Sequence, residues 1–357
     1  MLQENEIVAL YPTRKNLPMQ GRLALAWLVA GSAASLAGEP ALERFEFSQV
    51  HMAVPIKLVF YVANEKIASL GAEAAFARFH ALDGTMSDYN PASELRRLCD
   101  TAGEGKFVPV SDDLWRVLTR SAAISAESDG AFDVTIGPVT RLWRRARRRY
   151  ELPTPEYLEP ARTLVDYRLV RLDPRHQAVE LAKAGMLLDL GGIAKGYAAG
   201  EALAVLRKFG INRAMVEAGG DIALGDPPPD RPGWRIALAP LEPNVPPSRY
   251  LWLSRTAVST SGDLWQFVEI NGRRYSHVID PRTGVGLTDR SLVTIVGPDS
   301  MTADALGKAL CVLSPEKGLR LIESRPGFAA IVRRMADGKI ETRESARWKD
   351  LPPAQDP

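Results

Sequence analysis

Soft metal ligands are scarce in this chain of 357 residues, which has four histidines, two cysteines and no C-x-x-C or H-E-x-x-H spacing. His51, His80, His176 and His277 are scattered, and this argues against a structural zinc site. Cys99 and Cys311 would allow one disulfide in an oxidising compartment, but Cys311 lies in an apolar helical run and reads as a buried free thiol. An excess of either charge is also missing. Lysine plus arginine number 45 against 43 acidic residues, and a net charge of +2 offers no global field for nucleic acid. There is no Walker A loop, no G-x-G-x-x-G and no repeat of fixed period. What is present is ordinary for a globular protein: 46% apolar and 25% charged residues, enough for one large or two medium cores.

The longest apolar run, Leu23 to Gly38, is short of the roughly 20 residues that span a bilayer. Arg14, Lys15 and Arg22 precede it, and small residues such as Ala34 and Ala37 follow at cleavage-like positions, so residues 1–38 read as a secretory signal or an uncleaved anchor. No cysteine follows SLAG, so a lipobox is excluded. The expected organisation is this leader, one domain over 45–340, and a tail over 341–357 whose DLPPAQDP ending reads as frayed.

Helix and strand patterns alternate beyond the leader. IKLVFYVA reads as a strand, the segment from Ser69 to Tyr89 as a helix running into a loop, and Asp112 to Gly130 as a helix closed by Gly130. YRLVRLD and QAVEL suggest a hairpin, and RAMVEAGGDIALG suggests a strand, a glycine turn and a second strand. GGIAKGYAAGEALAVLRKFG predicts a helix ended at Gly210. The proline-rich GDPPPDRPG belongs on the surface. The expected fold is α+β with largely antiparallel strands flanked by helices and no dividing linker.

Five clusters carry candidate chemistry. MSDYNPASEL reads as a capping loop with Ser93 as N-cap. In DGAFDVTIGPVTRLW, glycines and a proline hold Phe132 and Asp133 in a tight connection. In LDLGGIAKGYA, a strand-like GMLLDL delivers Asp189 to a glycine pair at a helix start, where backbone N–H groups and Lys195 can face a phosphate. The stretch from Thr260 to Gly284 places His277 and Asp280 after an Asn271-Gly272 turn, as base and orienter or as a histidine satisfied at a strand end. TADALGKALCVL sets Asp304 and Lys308 one turn apart in what reads as an amphipathic helix, as a surface ion couple or as a metal ligand with an intruding lysine.

In their order and wording these segments, with HMAVPIKLVFYV before them, closely resemble the ApbE family of FAD:protein FMN transferases over roughly residues 50–325. The resemblance implies an exported bacterial enzyme of two-lobed, T-fold-related architecture. Such an enzyme cleaves FAD with magnesium and attaches FMN through its phosphate to a threonine of a partner flavoprotein, or hydrolyses FAD to FMN and AMP. It implies FAD contacts at Met52, Tyr89, Ala131, Phe132, Asp133, Asp189, Lys195 and Val278. It implies magnesium at a backbone carbonyl near Gly192, at Asp304 and at position 308, with His277 as base and Asp280 as orienter or second base. The partner would carry a D-G-x-T-G-A-T-like motif, and the location would be the periplasm or the outer face of the inner membrane, with membrane association through the leader.

Three departures from the family pattern stand out. Lys308 replaces the threonine ligand, and an ammonium cannot ligate magnesium. It would bind phosphate directly, or the site would bind FAD without turning it over. Ala53-Val54 replaces a Gly-Thr pair. Six arginines between Arg141 and Arg149 replace an uncharged stretch, as a solvated helix face or a docking site for acidic partners or anionic lipid.

Overall fold

The run VPIKLVFYV alternates apolar side chains over two faces, and both faces are covered. The computed structural model describes residues 41–355 apart from 243, 265 and 337, so the leader lies outside the described residues. In it, β1 (Glu43–His51) and β2 (Val54–Val62) form a hairpin. Ile56, Leu58 and Phe60 of β2 enter one core, and Val59 enters another on the opposite face. The sheet continues through β3 (Ala214–Ala218), β4 (Asp221–Leu224), β5 (Ala257–Gly262), β6 (Ser291–Gly297), β7 (Ala329–Ala336) and β8 (Lys339–Glu344). Its eight strands neighbour one another in chain order, every pair antiparallel. The expected antiparallel α+β class therefore holds.

Helices are inserted between these strands. The labelled ones are α1 (Glu65–Met86), α2 (Asp112–Glu127), α3 (Gly137–Arg149), α4 (Ala194–Lys208) and α5 (Ser300–Val312). α1, α4 and α5 share the large core on one sheet face. Caps are local: Asn64 accepts from the Lys66 and Ile67 amides, Ser93 from Arg96, and Asp299 from Thr302. α5 is buried on nearly every side, so it is a core helix and not the amphipathic surface helix its sequence suggests. Among the described residues no helix is long and apolar enough to cross a membrane. Cys99 and Cys311 are both free and buried.

The other sheet face carries a small sheet made of Trp234–Ala237, Tyr250–Leu253 and Pro353–Ala354. The C-terminal segment is thus not a frayed tail. The expected boundary at 340 falls inside β8, Pro353–Ala354 pairs with the edge of Tyr250–Leu253, and Trp348 is 2% exposed in the second core. One indole outweighs the polar, proline-rich residues around it.

Turn chemistry follows local rules at one hairpin and departs from them at another. Asn271 and Gly272 take positive φ between Phe267–Ile270 and Arg273–Ser276, as an Asn-Gly hairpin turn requires. The two-residue turn between β1 and β2 is built from Met52 (φ 49°) and Ala53 (φ 60°), residues that resist this conformation. Strain of this kind, on the order of 1 kcal/mol or more per residue, collects at functional sites.

α4 and α5 approach closely at Gly196, where a Cβ would lie 2.2 Å from the Ser300 carbonyl oxygen and 2.8 Å from Asp304 Cβ. Gly196→Ala is expected to cost about 1–3 kcal/mol of stability. At about 2–4 °C per kcal/mol, scanning calorimetry would read a fall of several degrees in Tm. An unchanged Tm would show that the crossing has room to relax.

Candidate active site

A cavity of about 600 Å³ opens between the α1–α4–α5 layer and the cluster around Trp143 and Tyr275. All eight residues expected to contact FAD border it, from Met52 in the strained hairpin turn to Val278. Gly192, His277 and Lys308 border it as well. This volume lies within the range of small-molecule sites.

One part of the wall is aromatic and apolar. Phe132 is buried, while the Tyr89 ring is 72% exposed and carries the Arg144 guanidinium 4.0 Å from its centroid. Arg144 pairs with Asp88 and lies 3.3 Å from Asp189. Burial and the neighbouring Asp189 raise the Asp88 carboxyl above its ordinary value, with Arg144 opposing them. Asp189 also accepts the Gly191 amide at 2.9 Å, which shapes the glycine turn. The GMLLDL segment forms no strand; its amides bond elsewhere, Leu188 N to Cys99 Sγ and Asp189 N to the Val134 carbonyl. Asp133 lines the cavity, but its oxygens hold Thr135 and the Tyr167 amide, so it braces the connection before α3.

The arginine run divides by helical phase. Val139, Trp143 and Ala146 bury one side of α3, while Arg141, Arg145, Arg148 and Arg149 are exposed. Arg144 and Arg147 flank the buried stripe and border the cavity. The expectation of a solvated or docking face therefore fails for these two, because the indole of Trp143 turns their side of α3 inward. Burial lowers the pKa of Arg147, and its Nε is buried without a hydrogen-bond partner. The i,i+3 spacing of these two arginines around Trp143 was the available signal.

At the polar end two carboxylates face two ammonium groups. Lys195 Nζ lies 3.5 Å from Asp221 and 3.7 Å from Asp304, and donates to the Gly191 carbonyl at 2.9 Å. Lys308 Nζ lies 3.5 Å from Asp304 Oδ1 and donates to Ser261 Oγ at 2.7 Å. Asp304 Oδ2 accepts the Gly196 amide at 3.1 Å, while its buried Oδ1 has no hydrogen-bond partner. Burial, and then the charge of Asp304, pushes the Asp221 carboxyl upward. Asp221 is a site residue that the sequence reading missed; its place directly after the Gly219-Gly220 turn was the only signal.

His277 is half-buried beside the cavity, with Nδ1 3.1 Å from the Gln266 carbonyl oxygen. A carbonyl only accepts, so Nδ1 carries the proton and Nε2 is the basic nitrogen. Burial, followed by the charges of Lys308 and Arg147, pushes its pKa down to about 3, so the ring is neutral at physiological pH. Asp280 does not orient it. The Asp280 carboxylate instead accepts from the Arg282 amide, Nε and Nη2, an Asx-type turn that closes within two residues.

The donor set does not fit a magnesium ion. Unpartnered Asp304 Oδ1 would suit a cation, but magnesium demands oxygen ligands in near-octahedral array at about 2.0–2.1 Å. Position 308 offers no oxygen, and its ammonium stands 3.5 Å from that same carboxylate oxygen. Among the described residues no group of three or more His, Cys, Asp or Glu side chains could hold a metal. Of the ligand set that the resemblance implies, Gly192 borders the cavity and Asp304 is buried, while position 308 sets an ammonium 3.5 Å from Asp304 Oδ1.

The ApbE family model matches residues 52–332. The chain is 34% identical over 274 residues to a FAD:protein FMN transferase of Treponema pallidum, covering 72% of this chain and 75% of that protein. It is 30% identical over 279 residues to one of Haemophilus influenzae, covering 76% and 80%. The fold resembles the flavinyl transferase ApbE of Pseudomonas stutzeri in its apo form, with a TM-score of 0.76 and 29% identity over 88% of this chain and 98% of that one.

Proposed function

The chain belongs to the ApbE family, and from that premise we propose that it is an exported FAD:protein FMN transferase. The observation that carries this reading is one cavity of about 600 Å³ that joins an aromatic wall at Phe132 and Tyr89 to a cationic floor at Lys195, Lys308 and Arg147. Rings and a pyrophosphate are what such a surface accepts.

The isoalloxazine or adenine ring packs on the Met52, Phe132 and Tyr89 side. The pyrophosphate lies toward the glycine turn and the two lysines. A threonine hydroxyl of a partner flavoprotein, presented in a D-G-x-T-G-A-T-like segment, attacks the phosphorus on the FMN side. The bond from that phosphorus to the bridging oxygen breaks, and AMP leaves with the bridging oxygen. Neutral His277 accepts the hydroxyl proton at Nε2. The leader's pattern supports a site of action in the periplasm or on the outer face of the inner membrane.

The test is to incubate purified protein with FAD and an acceptor carrying that motif, and to follow AMP by chromatography and acceptor mass by spectrometry. AMP equal to the FMN added to the acceptor is expected. AMP with an unmodified acceptor would make the protein a FAD pyrophosphatase. FAD bound without AMP would make it a flavin carrier.

A further inference from the structure

We propose that the Lys308 ammonium does permanently what an exchangeable divalent cation would do at this site, so that the protein cleaves FAD without metal. The proposal rests on the flavin-transfer reading above and deepens it.

Three observations carry it. The first is that Lys308 is built in. Its side chain is 19% exposed, its Nζ is fixed by Ser261 Oγ and Asp304, and its stem crosses Gly192, where a Cβ would lie 3.0 Å from Lys308 Cγ. An ammonium has three N–H groups, so its hydrogen bond to Ser261 Oγ leaves it donors for the cavity it borders. Nor is this a surface ion couple, since Asp304 is 0% exposed.

The second is charge balance. Lys195 and Lys308 neutralise Asp221 and Asp304 before any ligand enters. A pyrophosphate diester adds two negative charges. Arg147, with its unpartnered buried Nε, adds a positive charge at the same cavity.

The third is convergence. Lys308, Arg147 and Lys195 come from three separate helices, yet all act on His277, whose charged form each disfavours. All three border the same cavity, so positive charge converges on it from three elements. Two of these cations, Lys308 and Arg147, are among the departures from the family pattern, and they meet in one cavity. In the transfer the lysine changes no bond. It donates to the phosphoryl oxygens as charge builds on them, while the proton of the attacking hydroxyl goes to His277 and AMP departs with the bridging oxygen.

The experiment measures AMP release from FAD by the full protein, with an acceptor carrying the threonine motif present, in chelator and with added magnesium, alongside FAD affinity from flavin fluorescence and magnesium affinity from calorimetry with FAD present. The wild type is expected to release AMP equally in both and to show no magnesium binding. Lys308→Met should lose about 10²–10³-fold in rate, the scale for one preorganised donor, under both conditions while still binding FAD. Lys308→Thr should bind magnesium and release AMP only when it is present. AMP release by the wild type only with magnesium would overturn this inference and leave flavin transfer standing. FAD binding without AMP in either condition would overturn both. A Lys308→Met variant that binds FAD and turns over at the wild-type rate would also remove the lysine from the mechanism.

Discussion

Asp304→Asn is expected to lower AMP release by about 10²–10³-fold while leaving the fold nearly intact. The carboxylate is 0% exposed and does two separable jobs. Oδ2 accepts the Gly196 amide and ties α5 to the start of α4, a bond the asparagine oxygen can still make. The negative charge holds Lys308 at 3.5 Å and Lys195 at 3.7 Å, and asparagine removes it. Taking one partner from a buried pair costs about 3–5 kcal/mol where the remaining charge cannot reach water. Both ammonium groups border a cavity, so here they swing outward and the cost appears as lost placement. Turnover and FAD affinity measured on Asp304→Asn and Asp304→Ala separate the two jobs. The alanine variant should also lose Tm, because the Gly196 amide is left unmatched. Wild-type turnover in the asparagine variant would show that the charge of Asp304 does not position the lysines.

The second large effect is on stability. Trp348→Ala is expected to cost about 3–5 kcal/mol, as for other fully buried large aromatics, equivalent to a Tm loss on the order of 10 °C. Trp348 sits at 2% exposure with Val59, Ile222, Leu251, Val296 and Ile331, where it seals the sheet face opposite the active-site helices. Truncation after Glu344 should cost at least as much, because it also strips Pro353–Ala354 from the edge of Tyr250–Leu253. Trp348→Phe should be far milder. It keeps most of the apolar surface and removes an indole N–H that is buried without a partner. Calorimetry on the three proteins checks the order. A truncated protein that melts with the wild type would make the segment an appendage after all.

Signals confined to a few residues were legible before the fold was known. Asn271-Gly272 turns a hairpin, Ser93 caps its helix and Gly210 ends α4 at φ 76°, because turn and cap chemistry needs only neighbouring backbone. The wording of the motifs also carried Met52, Tyr89, Phe132 and Lys195 to one cavity. Arg144 and Arg147 were misread because the sequence of the run shows only charge, whereas the burial of Trp143 decides which arginines turn inward. The C-terminal segment was misread because proline and polar residues mask a single tryptophan whose partners lie on distant strands.

The chain alone decided its family, its antiparallel α+β class and the motif residues of the cavity lining, since these follow from local pattern and ordered motifs. The tertiary structure decided what stands beside Asp304. Lys308 reaches Ser261 across 47 residues of sequence, and Lys195 meets Asp221 only because α4 packs over the sheet. Ser259 donates to Asp221 because β4 pairs with β5. Such contacts are set by strand order and by helix packing at one glycine, and no rule that reads a window of residues contains either. An Asp and a Lys one turn apart spell a surface ion couple in sequence. Burial of α5 on nearly every side makes Asp304 the buried counterion of a lysine that borders the cavity.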